Sequence, residues 1–191
     1  MAERKDRRVH RTRALLRQGL TSLLQEKSLK DITVKELTQL VDINRGTFYC
    51  HYRDIYDMVE QLENEMFEEF STLVNAYSTE DLRRDLRPIL VDVFHFVDRN
   101  ADMCAMLLGG ARDMNFFLRL KSVIYEKVLQ EWGDLHRMRE SPQRDYYMAY
   151  LVNGVLGLLQ TWLEGGLAES SQEMAMLAEQ LILSGINPLR T

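Results

Sequence analysis

Between Thr33 and Asp54 the apolar period of this chain runs for about two helical turns, stops, and resumes in a new register. Few helical arrangements accommodate that. Thr33 with Glu36 three residues on has the form of a capping box, so a helix is expected to start there. Val34, Leu37 and Val41 hold one apolar stripe with Leu40 beside it, and Asp42-Ile43-Asn44 then breaks the period with residues that tolerate turn geometry. Asn44 can cap a second short helix reaching Tyr52, and Asp54 a third. The segment therefore predicts helix, tight turn, helix.

On the second helix, at about 100° per residue, Phe48 and Tyr52 share one side next to Ile43, while Gly46, Thr47 and Cys50 fall on the other. Arg45 and Tyr49 flank one edge of that second face and His51 the other. A guanidinium fork, a phenol and an imidazole around near-bare backbone suit a nucleic-acid groove, because arginine holds guanine edges or phosphate and hydroxyls hold phosphate oxygens. The structural alternative is an ordinary helical corner whose polar face is simply solvated.

The charge distribution bears on this choice. Residues 1–53 hold 12 Lys and Arg against 6 Asp and Glu, and the remainder holds 12 against 23. A basic module on an acidic body fits a phosphate-binding head, although a solvated basic helix gives the same count. Residues 3–8 read as a short basic arm, with Arg4, Lys5, Arg7 and Arg8 able to meet phosphates or a narrow minor groove, or to serve only as a solubilising tail. A helix with Val9, Leu16, Leu20, Leu23 and Leu24 follows, ending near Glu26-Lys27-Ser28, and completes a three-helix head.

From Asp54 a longer period runs to about Tyr77. Ser78-Thr79-Glu80-Asp81 reads as a turn and cap, with helices expected to follow at 88–100, 101–108 (stopped by Gly109-Gly110) and 114–132, then a polar connector from Gly133 to Pro142. Tyr146–Leu163 is uncharged over 18 residues. Asn153, Gln160, Thr161 and three tyrosines dilute it, and no basic flank marks a membrane side, so it predicts a helix covered by its own body and by a second subunit. The last helix starts at the box Ser170-x-x-Glu173. The fold class is all-α with about nine helices. Domains are expected at 1–53 and 54–191, and the dimer at Leu151, Gly154, Leu158, Trp162, Leu177 and Leu181.

Residues 8–60, through Asp31-Ile32-Thr33-Val34-Lys35-Glu36-Leu37 and Ile43-Asn44-Arg45-Gly46-Thr47-Phe48-Tyr49-Cys50-His51-Tyr52-Arg53-Asp54, resemble the DNA-binding domain of the TetR family of bacterial transcriptional regulators. Asp42 stands where that family usually has a turn glycine, and Ile55 where it commonly has a phosphate-gripping lysine. Residues 81–185 resemble more loosely the ligand-binding and dimerisation bodies found with such heads, particularly the subgroup containing the dihydroxyacetone kinase activator. That match rests on the phenylalanine-rich middle helix and on Gly154-x-x-Gly157 through Trp162-Leu163-x-x-Gly166.

The resemblance implies that Thr33, Arg45, Gly46, Thr47, Tyr49, Cys50, His51 and Tyr52 meet double-stranded DNA at a palindromic operator bound by a homodimer. It also implies a small apolar or aromatic effector in a pocket formed by Met66, Phe70, Phe94, Met103, Phe116, Phe117 and Tyr147. A packed core rich in methionine would have the same spacing. No nucleophile with a base, carboxylate pair or phosphate loop appears, and His10, His51, His95 and His136 are dispersed, so no enzyme, cofactor or metal is expected. With two cysteines and no secretory leader or membrane span read in the sequence, the cytoplasm is the expected compartment. The rival function is a co-regulator of the same fold without DNA affinity of its own.

Overall fold

The computed structural model describes residues 2–108, 114–132 and 144–186. They form ten α-helices: α1 Ala2–Glu26, α2 Val34–Leu40, α3 Arg45–Tyr49, α4 Ile55–Asn75, α5 Thr79–Arg84, α6 Arg87–Arg99, α7 Ala101–Leu108, α8 Met114–Trp132, α9 Arg144–Glu164 and α10 Ser171–Ile186. The helix beyond the expected set is α5. Ser78 and Asp81, expected as a turn and cap, form a full capping box that carries a six-residue helix. The expected stop at Gly109-Gly110 and the connector 133–142 lie outside the described residues.

Two compact units emerge, Met1–Glu65 and Met66–Thr191, where the sequence suggested a division at 53/54. The first turns of α4 belong to the first unit, where Ile55, Met58, Val59 and Leu62 are buried with Leu16, Leu20, Leu37, Phe48 and Tyr52. Helix α1 also takes up residues 3–8, expected as a short basic arm ahead of it, since the helix begins at Ala2.

The turn between α2 and α3 is built from backbone hydrogen bonds. The Ile43 N–H donates to the Thr38 carbonyl at 2.9 Å and the Asp42 N–H to Gln39 at 3.4 Å, with Asp42 at φ 52. These are the paired bonds of a Schellman stop, which needs a left-handed residue just past the helix end; aspartate occupies that place. Asn44 then caps α3, its Oδ1 accepting the Gly46 N–H at 2.7 Å. Thr33 Oγ1 accepts the Glu36 N–H at 3.2 Å, while the Glu36 carboxylate pairs with Lys27 at the end of α1.

In the second unit α6 packs along α10, and Arg87 at the start of α6 donates twice to Glu179, at 2.9 and 2.7 Å. Phe94 meets Trp162 edge-on at 5.4 Å between centroids, and Phe70 lies 5.3 Å from Phe96. Helix α9 ends in a second Schellman stop, with Leu167 N–H to the Trp162 carbonyl at 2.9 Å, Gly166 N–H to Leu163 at 3.1 Å, and Gly166 at φ 76. Ser170 and Glu173 exchange cap hydrogen bonds ahead of α10, as their spacing predicted.

Candidate nucleic-acid interface

Helix α3 has five residues, too few to hold itself in water, so its orientation comes from what it rests on. Phe48 and Tyr52 supply that footing. Phe48 is fully buried, and Tyr52 is 2% exposed with its ring 5.6 Å from that of Phe48. Above them Arg45, Gly46, Tyr49 and Cys50 are exposed, Tyr49 at 58%, and Thr47 and His51 are half-buried at the rim. Tyr49 stands edge-on to Phe48, at 5.5 Å, which directs the phenol outward from a fixed base. The Cys50 thiol donates to the Gly46 carbonyl at 3.2 Å. A Cβ on Gly46 would stand 3.2 Å from Asn44 Oδ1, so bare backbone at 46 leaves the cap undisturbed. Thr33 is exposed at the start of α2.

One residue of the expected contact set is placed otherwise. Tyr52 is not on the offered face; its hydroxyl accepts the Arg13 Nε–H at 3.0 Å beneath α3. Burial pushes the phenol's pKa up, and the Arg13 guanidinium opposes that shift. Of the arm residues, Arg7 is exposed on α1, and the side chains of Arg4, Lys5 and Arg8 lie outside the described set. Ile55 is buried at the start of α4. Sequence reasoning missed Arg13 and Gly19. A Cβ at Gly19 would fall 2.4 Å from Val41 Cγ1 and 2.9 Å from Leu37 Cδ1, so this glycine lets α1 and α2 approach. No signal in a single sequence separates it from a tolerated helical glycine.

A family model described as a transcriptional regulator C-terminal region, TetR_C_8, matches residues 84–184, more than half of the chain. The chain belongs to the TetR family of transcriptional regulators. TetR-family proteins are DNA-binding regulators rather than enzymes. The uncharacterized HTH-type transcriptional regulator YxbF of Bacillus subtilis (strain 168) is 23% identical over 176 residues, 88% of this chain; the chain spans 44% of that relative's length. Among solved structures, the dihydroxyacetone kinase operon activator DhaS aligns with a TM-score of 0.64 at 17% identity, over 92% of this chain and 96% of its own. The SmeT–triclosan complex aligns with a TM-score of 0.68 at 17% identity, over 91% and 90%. These two likenesses establish the TetR fold.

Within that fold the residues expected at a dimer contact separate into two groups. Leu151 and Trp162 are buried in their own chain, and the Trp162 indole donates to the Glu169 carbonyl at 2.9 Å. Both side chains face inward into their own body and not, as expected, toward a partner. Leu177 and Leu181 are 42% and 46% exposed, Leu158 is half-buried, and a Cβ at Gly154 would meet nothing within 4 Å. The open side of helix α9 carries Tyr146, Tyr150, Asn153, Gly154, Gly157 and Thr161.

Of the expected effector-pocket residues, Met66, Phe70, Phe94, Met103 and Phe116 are buried and Tyr147 is half-buried, while the Phe117 side chain lies outside the described set. A depression of about 350 Å³ lies elsewhere in the second unit, lined by Leu73, Asp92, His95, Asp98 and Arg99. Beside it Tyr77 donates to Asp92 at 2.6 Å, and burial, reinforced by that carboxylate, pushes the phenol up to about 12.

Proposed function

We propose that this TetR-family regulator binds a palindromic operator as a homodimer, with Arg45, Gly46, Thr47, Tyr49, Cys50, His51 and Thr33 at the DNA, and that a small apolar or aromatic molecule releases it as a repressor. The observation that carries the reading is α3: a capped five-residue helix with its aromatic side buried and its arginine, glycine and tyrosine outward. The basic balance of residues 1–53 supports it, since phosphate contacts dominate nucleic-acid affinity. The units Met1–Glu65 and Met66–Thr191 would serve as DNA-binding head and as effector and dimerisation body, with the cytoplasm as the site of action.

The release step is motivated by the burial of Met66, Phe70, Phe94, Met103 and Phe116, adaptable and aromatic side chains of the kind that line apolar ligand sites. A ligand that prefers the non-operator conformation 100-fold shifts the equilibrium by about 2.7 kcal/mol. SmeT, the repressor of a Stenotrophomonas maltophilia multidrug efflux pump, is related in fold and is known in complex with triclosan.

Gel shift against DNA flanking the chain's own gene, over several salt concentrations, tests the reading. Specific binding should weaken linearly in log salt. Arg45→Ala should weaken it by roughly 1 to 3 kcal/mol if the fork is bidentate on a base, and Tyr49→Phe should weaken it if its hydroxyl holds a phosphate. No binding at any salt would favour a co-regulator that acts through protein contacts. Thermal-shift ligands that never alter DNA affinity would leave a binding cavity but remove the switch.

A further inference from the structure

Arg13 is half-buried on α1, and its guanidinium is shared among three parts of the first unit. Its Nε–H donates to the Tyr52 hydroxyl at 3.0 Å, and its Cζ lies 5.4 Å from the centroid of the same ring. A terminal N–H donates to Gln61 Oε1 at 3.3 Å, and the same nitrogen pairs with the Glu65 carboxylate. Gln61 and Glu65 are one turn apart on α4. The Gln61 amide donates in turn to Asp57 Oδ2 at 3.2 Å, and that oxygen accepts the Arg53 N–H at 2.8 Å. The network is therefore a closed circuit. It leaves the end of α3, crosses one guanidinium to two turns of α4, and returns along the Arg53–Asp54 junction that joins the two helices.

We propose that Arg13 is the positioning residue of the offered helix, setting α3 through Tyr52 according to where Glu65 and Gln61 of α4 stand. This rests on the reading of α3 as the DNA-contacting helix. A guanidinium is a planar fork with fixed donor directions, so its contact with Tyr52 and its contacts with α4 cannot be adjusted separately. Displacing α4 either breaks the terminal N–H contacts or draws Tyr52 along, and Tyr52 is half of the footing under Arg45 and Tyr49. The ion pair is partly exposed, with Arg13 and Glu65 side chains at 31% and 50%, so it is weak enough to be broken by a modest movement. A lysine could satisfy one partner but not hold the same fork.

The test uses the full chain and a duplex that the wild-type protein selects from a random pool. Affinity is measured at fixed salt for wild type, Tyr52→Phe, Glu65→Gln, their double variant and Arg13→Lys, with melting temperatures alongside. Hydrogen exchange over residues 44–53 is read without DNA. Each single variant should lose affinity while remaining folded, Tyr52→Phe roughly tenfold as expected for a hydrogen bond to a charged group, and Glu65→Gln up to about fivefold as expected for a partly exposed ion pair. The double variant should be no worse than the weaker single one, exchange over 44–53 should quicken in all, and lysine should not rescue. Independent losses that multiply in the double variant, or a Glu65→Gln variant with wild-type affinity and exchange, would overturn the proposal. If wild type selects no duplex, the DNA-binding reading fails by itself. The exchange arm then decides the role of Arg13: faster exchange over 44–53 in Glu65→Gln supports it, and unchanged exchange rejects it.

Discussion

Asp42 carries the sharpest backbone demand in the first unit. At φ 52 it occupies a region where a side chain costs about 1 kcal/mol or more, and aspartate is among the residues that visit it most readily. Asp42→Ala should lower the stability of that unit by about 1 kcal/mol in thermal unfolding, and Asp42→Gly should not. Gly19 poses the opposite case. Alanine there would add about 1 kcal/mol of helix propensity, yet its Cβ would overlap Val41 and Leu37, and overpacking of this kind costs about 1 to 3 kcal/mol. Gly19→Ala should therefore destabilise the first unit; a higher melting temperature would mean that α2 gives way without cost. The break at Asp42 was legible because it interrupts a period. The need for Gly19 was not, because it arises from a neighbouring helix.

Helix starts were the most legible elements. Asn44, Asp54, Ser78 and Ser170 all act as caps, because a cap is a local exchange between a side chain and the amides two or three residues on. Three acids at these starts are held below the usual carboxylate range: Asp57 by the Arg53 N–H, Asp81 by the Ser78 hydroxyl and N–H, and Glu173 by the Ser170 N–H and hydroxyl. A carboxyl with a lower pKa folded than unfolded adds stability above its unfolded value and loses it as pH falls through the folded one. Melting temperature should thus fall below about pH 5, and replacing the three acids by Asn, Asn and Gln should flatten that fall. An equal acid slope in the triple variant would place the sensitivity elsewhere. Which way a helix faces was harder to read. Periodicity places Leu151 and Trp162 on a common stripe with the dimer candidates but gives no sign of which stripe the body covers.

At the scale of the whole molecule, the open sides of α9 and α10 carry the dimer proposal. Leu177→Glu with Leu181→Glu should yield monomers that keep both units folded, because both positions already meet water in the single chain. Sedimentation showing intact dimers would move the interface to another surface. Trp162→Ala should act differently, costing about 3 to 5 kcal/mol of body stability through the cavity left against Phe94, whatever the oligomeric state.

The sequence by itself determined the helical class, the break between α2 and α3, most of the caps and the aromatic footing of the offered helix. Each of these is set by residues within a few positions of one another. Only the tertiary structure decided that the Tyr52 hydroxyl meets Arg13, 39 positions away, and that Glu65 shares the same guanidinium from 52 away. It also decided that Leu151 and Trp162 belong to the body's own core. The physical reason is that hydrogen-bond geometry along a helix repeats within a turn, whereas burial depends on which distant surface the folded chain lays against each face.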